Sequence, residues 1–146
     1  MLVEKLLTTA RGRMQCIELG AALLQGARLL DEGFDMLLVR DAEGRLAGVL
    51  TKTDVVRQTG RCAGASCTAP VIEAMSRDVV TASTGDWLHD TWETMKTRGL
   101  KNIPIVDEAG RPLGVLNVRD VLQVLLGHVR HEEQLLRDYV MSVGFH

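Results

Sequence analysis

The sequence lacks a strong excess of either charge, and it lacks any long apolar run. Its 146 residues carry 17 basic and 19 acidic side chains, for a net charge of −2. This balance argues against broad electrostatic binding to nucleic acid or to an anionic membrane. No apolar run approaches the length of a membrane-spanning helix, and residues 1–7 do not have the pattern of a signal peptide. We therefore expect neither nucleic acid nor a membrane among the partners.

Cysteine is also scarce. Cys16, Cys62 and Cys67 form an odd set at irregular spacing, with no C-x-x-C motif. A reduced, cytoplasmic protein is therefore expected. Cys62 and Cys67 could pair or hold a metal, but no histidine lies near them in the sequence, and we predict no metal site there.

Motifs of catalysis are missing as well. The sequence contains no G-x-S-x-G, no H-E-x-x-H, no P-loop and no zinc motif, so we predict that the protein is not an enzyme. His128 and His131, with Glu132 beside the second, have the spacing of a metal pair. A solvated or dimer-facing helix surface is the favoured interpretation of these histidines.

What the sequence does contain is an internal repeat. Residues 33–56 overlay without a gap on residues 99–122, and composition alone would match about one or two positions in such a window. The overlay gives nine identities: Gly33/Gly99, Asp41/Asp107, Gly44/Gly110, Arg45/Arg111, Gly48/Gly114, Val49/Val115, Leu50/Leu116, Asp54/Asp120 and Val55/Val121. Any site in one half is therefore expected again in the other.

Each copy carries the same order of local signals. A helix ends at Gly33 or Gly99, an apolar strand follows, and a glycine-containing turn leads to a second strand and a second helix. A leading strand is predicted at 79–82, with 14–17 as its weaker counterpart, and the last helical pattern continues beyond Leu126. The other strands are predicted at 36–39, 46–50, 103–106 and 113–116, with turns at 41–44 and 107–110.

On these residues the chain resembles a tandem pair of cystathionine-β-synthase (CBS) domains, called a Bateman module. The second copy reads R-G-L-K-N-I-P-I-V-D-E-A-G-R-P-L-G-V-L-N-V-R-D-V-L. It is similar to the family's glycine, polar pair, h-P-V-V-D, glycine turn and G-h-h-(S/T)-x-x-D-h-h, where h is apolar. Residues 74–81, A-M-S-R-D-V-V-T, resemble the family's lead-in M-(S/T)-x-D-V-h-T.

The resemblance implies an α+β fold. It consists of two pseudo-symmetric β-α-β-β-α CBS repeats packed sheet to sheet, with an extended C-terminal helix like that of small stand-alone bacterial members. The first copy departs from the family pattern, because Leu38 stands where the second copy has Pro104. Two such modules commonly face each other as a disc-shaped dimer, so a homodimer is expected. We place CBS repeat 1 at 3–59, a linker at 60–70, CBS repeat 2 at 71–126 and a C-terminal helical extension at 127–146.

Two strand-to-helix junctions carry the candidate site. They read Thr51-Lys-Thr-Asp54 and Asn117-Val-Arg-Asp120. Taken locally, Thr51 or Asn117 caps the helix, and the acid three residues later completes a capping box. The same geometry suits a ligand, because a helix start binds phosphate and a carboxylate can accept both ribose hydroxyls. In the CBS family these positions contact the phosphate and ribose of an adenosine nucleotide, and the two interpretations are compatible.

Cations favour the second junction. Arg119 precedes Asp120, and Lys101 lies before the strand at the position where the first copy has Asp35. Arginine suits phosphate contacts, so we expect both pockets to fit a nucleotide and the second to hold a phosphate more tightly. The other cations near the junctions are Arg98 in the second half and Lys52 and Arg57 in the first.

An adenine ring needs an apolar slot, which the resemblance places among the apolar residues around the strands. Core packing accounts equally well for the burial of these residues. The complete predicted nucleotide-binding set is Met36, Leu37, Thr51, Thr53, Asp54, Val71, Val79, Thr81, Lys101, Asn102, Ile103, Pro104, Asn117, Arg119 and Asp120.

Two functions remain compatible with the sequence. The leading hypothesis is a non-catalytic regulatory module that senses an adenosine nucleotide. AMP is favoured as the ligand, NAD(H), ADP, ATP and S-adenosylmethionine are alternatives, and no metal is predicted. The second hypothesis is a constitutive dimerisation scaffold with vestigial ligand sites. The sequence does not identify the downstream protein that would read the signal.

Overall fold

The computed structural model describes residues 1–61 and 68–144. Cys62, Cys67 and most of the predicted linker at 60–70 lie outside the described residues, as do the last two residues. The first half begins with a 3₁₀ turn at Val3–Leu6, and its helices and strands are α1 (Leu7–Gly12), β1 (Cys16–Glu18), α2 (Leu23–Asp31), β2 (Leu37–Arg40), β3 (Leu46–Leu50) and α3 (Lys52–Arg61). The second half contains α4 (Val71–Ala74), α5 (Leu88–Arg98), β4 (Asn102–Val106), β5 (Pro112–Asn117) and α6 (Val118–Gly144).

The predicted order of helix, strand, strand and helix is confirmed in both halves. Gly99 ends α5 in the left-handed region at φ 66°, and Gly33, at φ 116°, follows the end of α2. The β2–β3 and β4–β5 pairs are antiparallel, and each has an irregularity at the corresponding position near the turn.

Hydrogen bonds within the two turns explain why both copies of the repeat have an aspartate at the same turn position. In each turn one carboxylate oxygen accepts two backbone N–H groups, from Glu43 and Arg45 to Asp41 and from Ala109 and Arg111 to Asp107. Each turn also places a glycine at positive φ, where a side chain would be strained.

The leading strands differ from the prediction. Residues 16–18 form the genuine strand, which pairs in parallel with Leu38, Val39 and Arg40 of β2. The strand predicted at 79–82 is wrong, because only Ala82 bridges β4, at Ile105. The chain turns away at once, since Ser83 N–H donates to the Asp86 carboxylate at 2.9 Å. The copy predicted to be weaker therefore has the better-formed leading strand.

Each leading helical segment packs in the core of the opposite half. Val3, Leu6 and Ala10 belong to the buried cluster of Met95 and Ile105 in the second half. In turn, Val71 and Ala74 of α4 belong to the buried cluster of the first half. The boundaries predicted from sequence thus separate each leading helix from the sheet against which it packs.

Two glycines of the repeat allow this exchange. A Cβ atom on Gly48 would lie 2.6 Å from the carbonyl oxygen of Ser76, and one on Gly114 would lie 2.8 Å from backbone and side-chain atoms of Ala10. Such distances are far inside van der Waals contact. The identity Gly48/Gly114 therefore reflects the same close approach, made once by each leading segment.

The two sheets contact each other through a small buried cluster. Leu38 and Val49 of the first sheet and Val115 of the second form its centre, with Met36 and Val79 packed around it. This contact agrees with the expected sheet-to-sheet arrangement of two pseudo-symmetric repeats. The hydrogen bond from Leu46 N–H to the Gly110 carbonyl, at 2.8 Å, joins the two halves at the turn end.

The C-terminal helix α6 continues without interruption through the predicted extension. Its first turns are buried, with Val121 fully enclosed and Val124 and Leu125 packed against the second-half core. From Leu126 to Met141 its apolar side chains are exposed, and Leu136 and Tyr139 keep 64% and 67% of their surface. Within the described ranges, no helix combines the length and the apolar character needed to cross a membrane.

Adding a methyl group at either close approach should destabilise the fold. We expect Gly48→Ala and Gly114→Ala each to lower the free energy of unfolding by about 1–3 kcal/mol, because backbone atoms on both sides must shift. Gly20→Ala is the matched control, since nothing lies within 4 Å of its Cβ position. Thermal denaturation measures the three variants, and a Gly114→Ala protein as stable as the Gly20→Ala protein would contradict the account.

Candidate functional site

The first junction, between β3 and α3, forms the predicted capping box. Thr51 N–H donates to Oδ2 of Asp54 at 2.9 Å, and Asp54 N–H reaches Oγ1 of Thr51 at 3.4 Å. Each residue thereby satisfies a backbone donor at the helix start. The local interpretation is confirmed at this junction.

The carboxylate of Asp54 is buried and fully engaged. It is 3% exposed and accepts four hydrogen bonds, two on each oxygen. Oδ2 accepts from N–H and Oγ1 of Thr51. Oδ1 accepts from Oγ of Ser76 at 2.8 Å and from Nη1 of Arg57 at 3.1 Å. A ribose could reach this carboxylate only by displacing these donors.

The second junction, between β5 and α6, is built differently. Oδ1 of Asn117 caps α6 by accepting Arg119 N–H at 2.9 Å. Its Nδ2 donates to Oδ1 of Asn102 on the neighbouring strand, also at 2.9 Å. Asp120 does not return to the cap residue, so this junction forms half of a capping box. The carboxylate is left for another partner.

That partner is Arg13, at the end of α1. Its Nε and Nη2 donate to the two carboxylate oxygens of Asp120, with Nη2 to Oδ1 at 2.9 Å. The hydrogen bond to Asp120 raises the pKa of Arg13, although burial opposes this effect. The Asp120 side chain is 15% exposed and that of Arg13 is 39% exposed. No local signal predicts this pair, because 107 positions separate the two residues in the sequence.

A cleft of about 570 Å³ opens beside this ion pair. Its lining contains three cations, Arg13, Lys101 and Arg119, and one carboxylate, Asp35, together with Asn102, Asn117 and Val118. The carbonyl of Lys101 accepts Val118 N–H at 2.8 Å, which fixes the residue at the junction. Such a lining favours an anion.

The structure corrects the assignment of charges to the two junctions. Asp35 was expected to weaken the first junction, but it lines the second-half cleft together with Lys101. Lys52, at the first junction, lines an apolar hollow of about 260 Å³ beside Val55 and Val56. Of the remaining cations, Arg57 is bound to Asp54 and Arg98 lines a different hollow.

The predicted site residues separate into several groups. Lys101, Asn102, Asn117 and Arg119 meet at the second-half cleft, and Asp120 is joined to it through Arg13. A second hollow, of about 490 Å³, gathers Met36, Val79, Asn102 and Ile103. Thr81 lines a third, of about 280 Å³. Leu37, Val71 and Pro104 are buried in the core, and Thr53 is exposed. Thr51 and Asp54 form the capping box of the first junction.

The candidate metal pair on α6 has a local partner. Nε2 of His128 lies 3.0 Å from Oε1 of Glu132, one turn further along the helix, and both side chains are at least half exposed. Within the described ranges, no three or more histidine, cysteine or acidic side chains are grouped to hold a metal ion.

Sequence comparison identifies the second half. Residues 71–127 match the family model of the CBS domain. An uncharacterised protein of Methanocaldococcus jannaschii is 36% identical over 93 residues, which cover 56% of this chain and 33% of that protein. The GMP reductase of Leishmania major is 35% identical, over 63% of this chain and 18% of the enzyme. The chain thus spans a third or less of the length of these two relatives.

Solved structures extend the likeness to both halves. The cytosolic domain of the Mg²⁺ channel MgtE in complex with ATP is 28% identical, with a TM-score of 0.65 over 77% of this chain and 45% of that one. A CBS domain pair in complex with 5′-methylthioadenosine and S-adenosyl-L-methionine is 20% identical, with a TM-score of 0.71 over 88% of this chain and 98% of that one. The protein CBSX2 in complex with AMP is 17% identical, with a TM-score of 0.70 over 81% and 91%.

The second repeat is a CBS domain. The chain as a whole has the fold of a CBS domain pair, with the α+β architecture of its structural neighbours and a long C-terminal helix.

The two matched carboxylates should differ in their effect on stability. We expect Asp54→Ala to lower the free energy of unfolding by about 2–4 kcal/mol, because it leaves buried donors without an acceptor. Asp120→Ala should lower it by about 1 kcal/mol or less, because it removes a partly exposed ion pair. Chemical denaturation measures both variants, and a larger loss for Asp120→Ala would contradict these assignments.

Proposed function

We propose that this CBS pair is a non-catalytic regulatory module that binds an adenosine nucleotide in the second-half cleft. The observation that carries the proposal is the meeting of Arg13, Lys101 and Arg119 beside Asp120. Cations suit the phosphate of such a ligand, and the carboxylate suits its ribose hydroxyls.

The comparisons support this class of ligand. CBS structures with the same fold are complexes with ATP, with AMP and with S-adenosyl-L-methionine. We favour AMP because few cations line the cleft, and ADP, ATP, NAD(H) and S-adenosylmethionine are the alternatives. We assign the protein to the cytoplasm and its output to a downstream protein that recognises the ligand-bound state.

We further propose that each chain binds one nucleotide. The first junction holds its carboxylate 3% exposed under four hydrogen bonds, whereas the second faces an open cleft. Although the repeat predicts two nucleotide-shaped pockets, this asymmetry favours the second one. A hollow of about 220 Å³ shares Arg13, Asp35 and Asn102 with this cleft, and its Phe34, Met36 and Val115 offer apolar surface for a base.

Ligand binding should stabilise the folded chain. AMP at a hundred times its dissociation constant should add about 2.7 kcal/mol to the free energy of unfolding, and calorimetry should give one site per chain. Lys101→Gln should weaken AMP binding by about tenfold, because it removes a charged donor from the cleft.

Lys52→Gln is the matched control, with the same loss of charge at an exposed lysine of the other junction. It should leave the affinity unchanged. The proposal fails if AMP, ADP, ATP, NAD(H) and S-adenosylmethionine, each at millimolar concentration, all leave the melting temperature unchanged.

The exposed face of α6 favours a second function, homodimerisation. Leu122, Leu126, Val129, Leu136 and Val140 follow one another at spacings of four, three, seven and four residues, as on a helix that packs against another helix. Each of them is at least 36% exposed in the isolated chain. A second copy of α6 laid antiparallel would place Leu126 opposite Leu136 and Leu122 opposite Val140. Isologous pairing of this kind suits a symmetric dimer.

The dimer should depend on this face. Leu126→Gln combined with Leu136→Gln should convert a dimer into a monomer in analytical ultracentrifugation, because both members of the central apolar pair are lost. Gln134→Ala, on the same helix, is the control and should leave the dimer intact. A wild-type chain that sediments as a monomer at micromolar concentration would contradict the assignment.

A further inference from the structure

In the second site the candidate ribose-binding group is the carboxylate of Asp120, and Arg13 already occupies it. Both carboxylate oxygens of Asp120 accept hydrogen bonds from the guanidinium of Arg13 in a bidentate contact. The carboxylate that a ribose would need is therefore already occupied when the cleft is empty. A nucleotide could use Asp120 only after Arg13 has moved away from it.

Arg13 is placed to move toward the ligand. It lines both the 570 Å³ cleft and an adjoining hollow of about 220 Å³, and Asp35 and Asn102 line both as well. The side chain thus stands on the boundary between two open volumes, with 39% of its surface exposed. Its fork of donors fits a phosphate as well as it fits a carboxylate.

We propose that nucleotide binding exchanges the partner of Arg13. The ribose hydroxyls replace Arg13 on the Asp120 carboxylate, and the freed guanidinium binds the phosphate of the same ligand. This inference rests on the proposed function and specifies the ligand further. A ligand with a phosphate regains the contact that is broken, whereas a neutral nucleoside does not. The second site therefore selects phosphorylated adenosine ligands over adenosine.

The first junction has no equivalent of this exchange. Ile17 and Ala82 pair with equivalent residues of β2 and β4, Val39 and Ile105. Arg13 lies four residues before Ile17, and Asp78 lies four residues before Ala82, so Asp78 stands at the position of Arg13. An acid there repels a phosphate, and Asp54 takes its donors from Ser76 and Arg57 instead. The exchange belongs to the second half alone.

The exchange also connects the ligand to α1. Arg13 is the residue that ends α1, and α1 packs on β5 through the close contact of Ala10 with Gly114. A nucleotide that draws Arg13 toward its phosphate therefore changes the constraint on the end of this helix. A partner that contacts α1 could read that change.

Calorimetric titration of the full chain with AMP and with adenosine tests the proposal. In the wild type AMP should bind more tightly than adenosine. Arg13→Ala should reduce the ratio of the two affinities by about tenfold, while adenosine binds as tightly as before or more tightly, because its competitor for Asp120 is gone. Arg13→Lys, which keeps the charge without the fork, should give an intermediate ratio and serves if the alanine variant does not fold.

Arg11→Ala is the matched control, since Arg11 is exposed on the same helix, and it should leave the ratio unchanged. An Arg13→Ala protein that binds both ligands with the wild-type ratio would overturn the exchange and leave the proposed function standing. The exchange is also overturned if both affinities fall equally. Binding of neither ligand by any of the proteins would instead overturn AMP as the ligand, and the exchange with it, and the proposed function falls as well if ADP, ATP, NAD(H) and S-adenosylmethionine also leave the melting temperature unchanged.

Discussion

The close packing of each leading helical segment against the opposite half is the constraint on which the rest of this structure depends. It requires backbone atoms to approach the central strands at two equivalent points, at Gly48 and at Gly114, and a side chain at either point would prevent it. Because Val3 and Leu6 complete one core while Val71 and Ala74 complete the other, neither half buries its apolar surface alone. The two repeats are therefore one cooperative unit, although the sequence describes them as two copies.

The packing of each leading segment against the opposite half also determines the partner of each candidate carboxylate. Ser76 follows α4 and reaches Asp54 in the first half, whereas Arg13 follows α1 and reaches Asp120 in the second. A hydroxyl and a guanidinium thus reach the two equivalent carboxylates for the same topological reason, although they stand at different positions of their leading segments. The difference in chemistry between the two junctions is consequently set by the leading segments more than by the junctions themselves.

Much of this fold could be predicted from the sequence, because its signals are local. The glycines that end helices and form turns, the apolar strands and the Thr51–Asp54 cap each depend on neighbouring residues. The glycines and the strands that follow them are found in both copies, and the complete cap in the first. The strand predicted at 79–82 failed, because strand formation needs a partner along its length and only Ala82 has one. The Arg13–Asp120 pair and the exchange of leading helices could not be predicted, since both join residues far apart in the chain. The cap at the first junction could therefore be predicted, whereas the charged partners around the junctions could not.

The carboxylates of Asp54 and Asp120 differ in the free energy needed to separate them from their hydrogen-bond donors. Four donors surround Asp54 in a site that solvent hardly reaches, and leaving such groups unpaired is costly. Asp120 has one partner, which is itself partly exposed, and an ion pair in contact with water is worth little net free energy. Under the proposed function, a ribose would replace the single partner of Asp120 at small cost, but it would have to break a buried hydrogen-bond network to reach Asp54. Equivalent positions of the repeat thus hold a buried carboxylate with four donors in the first half and a partly exposed carboxylate with one partner in the second.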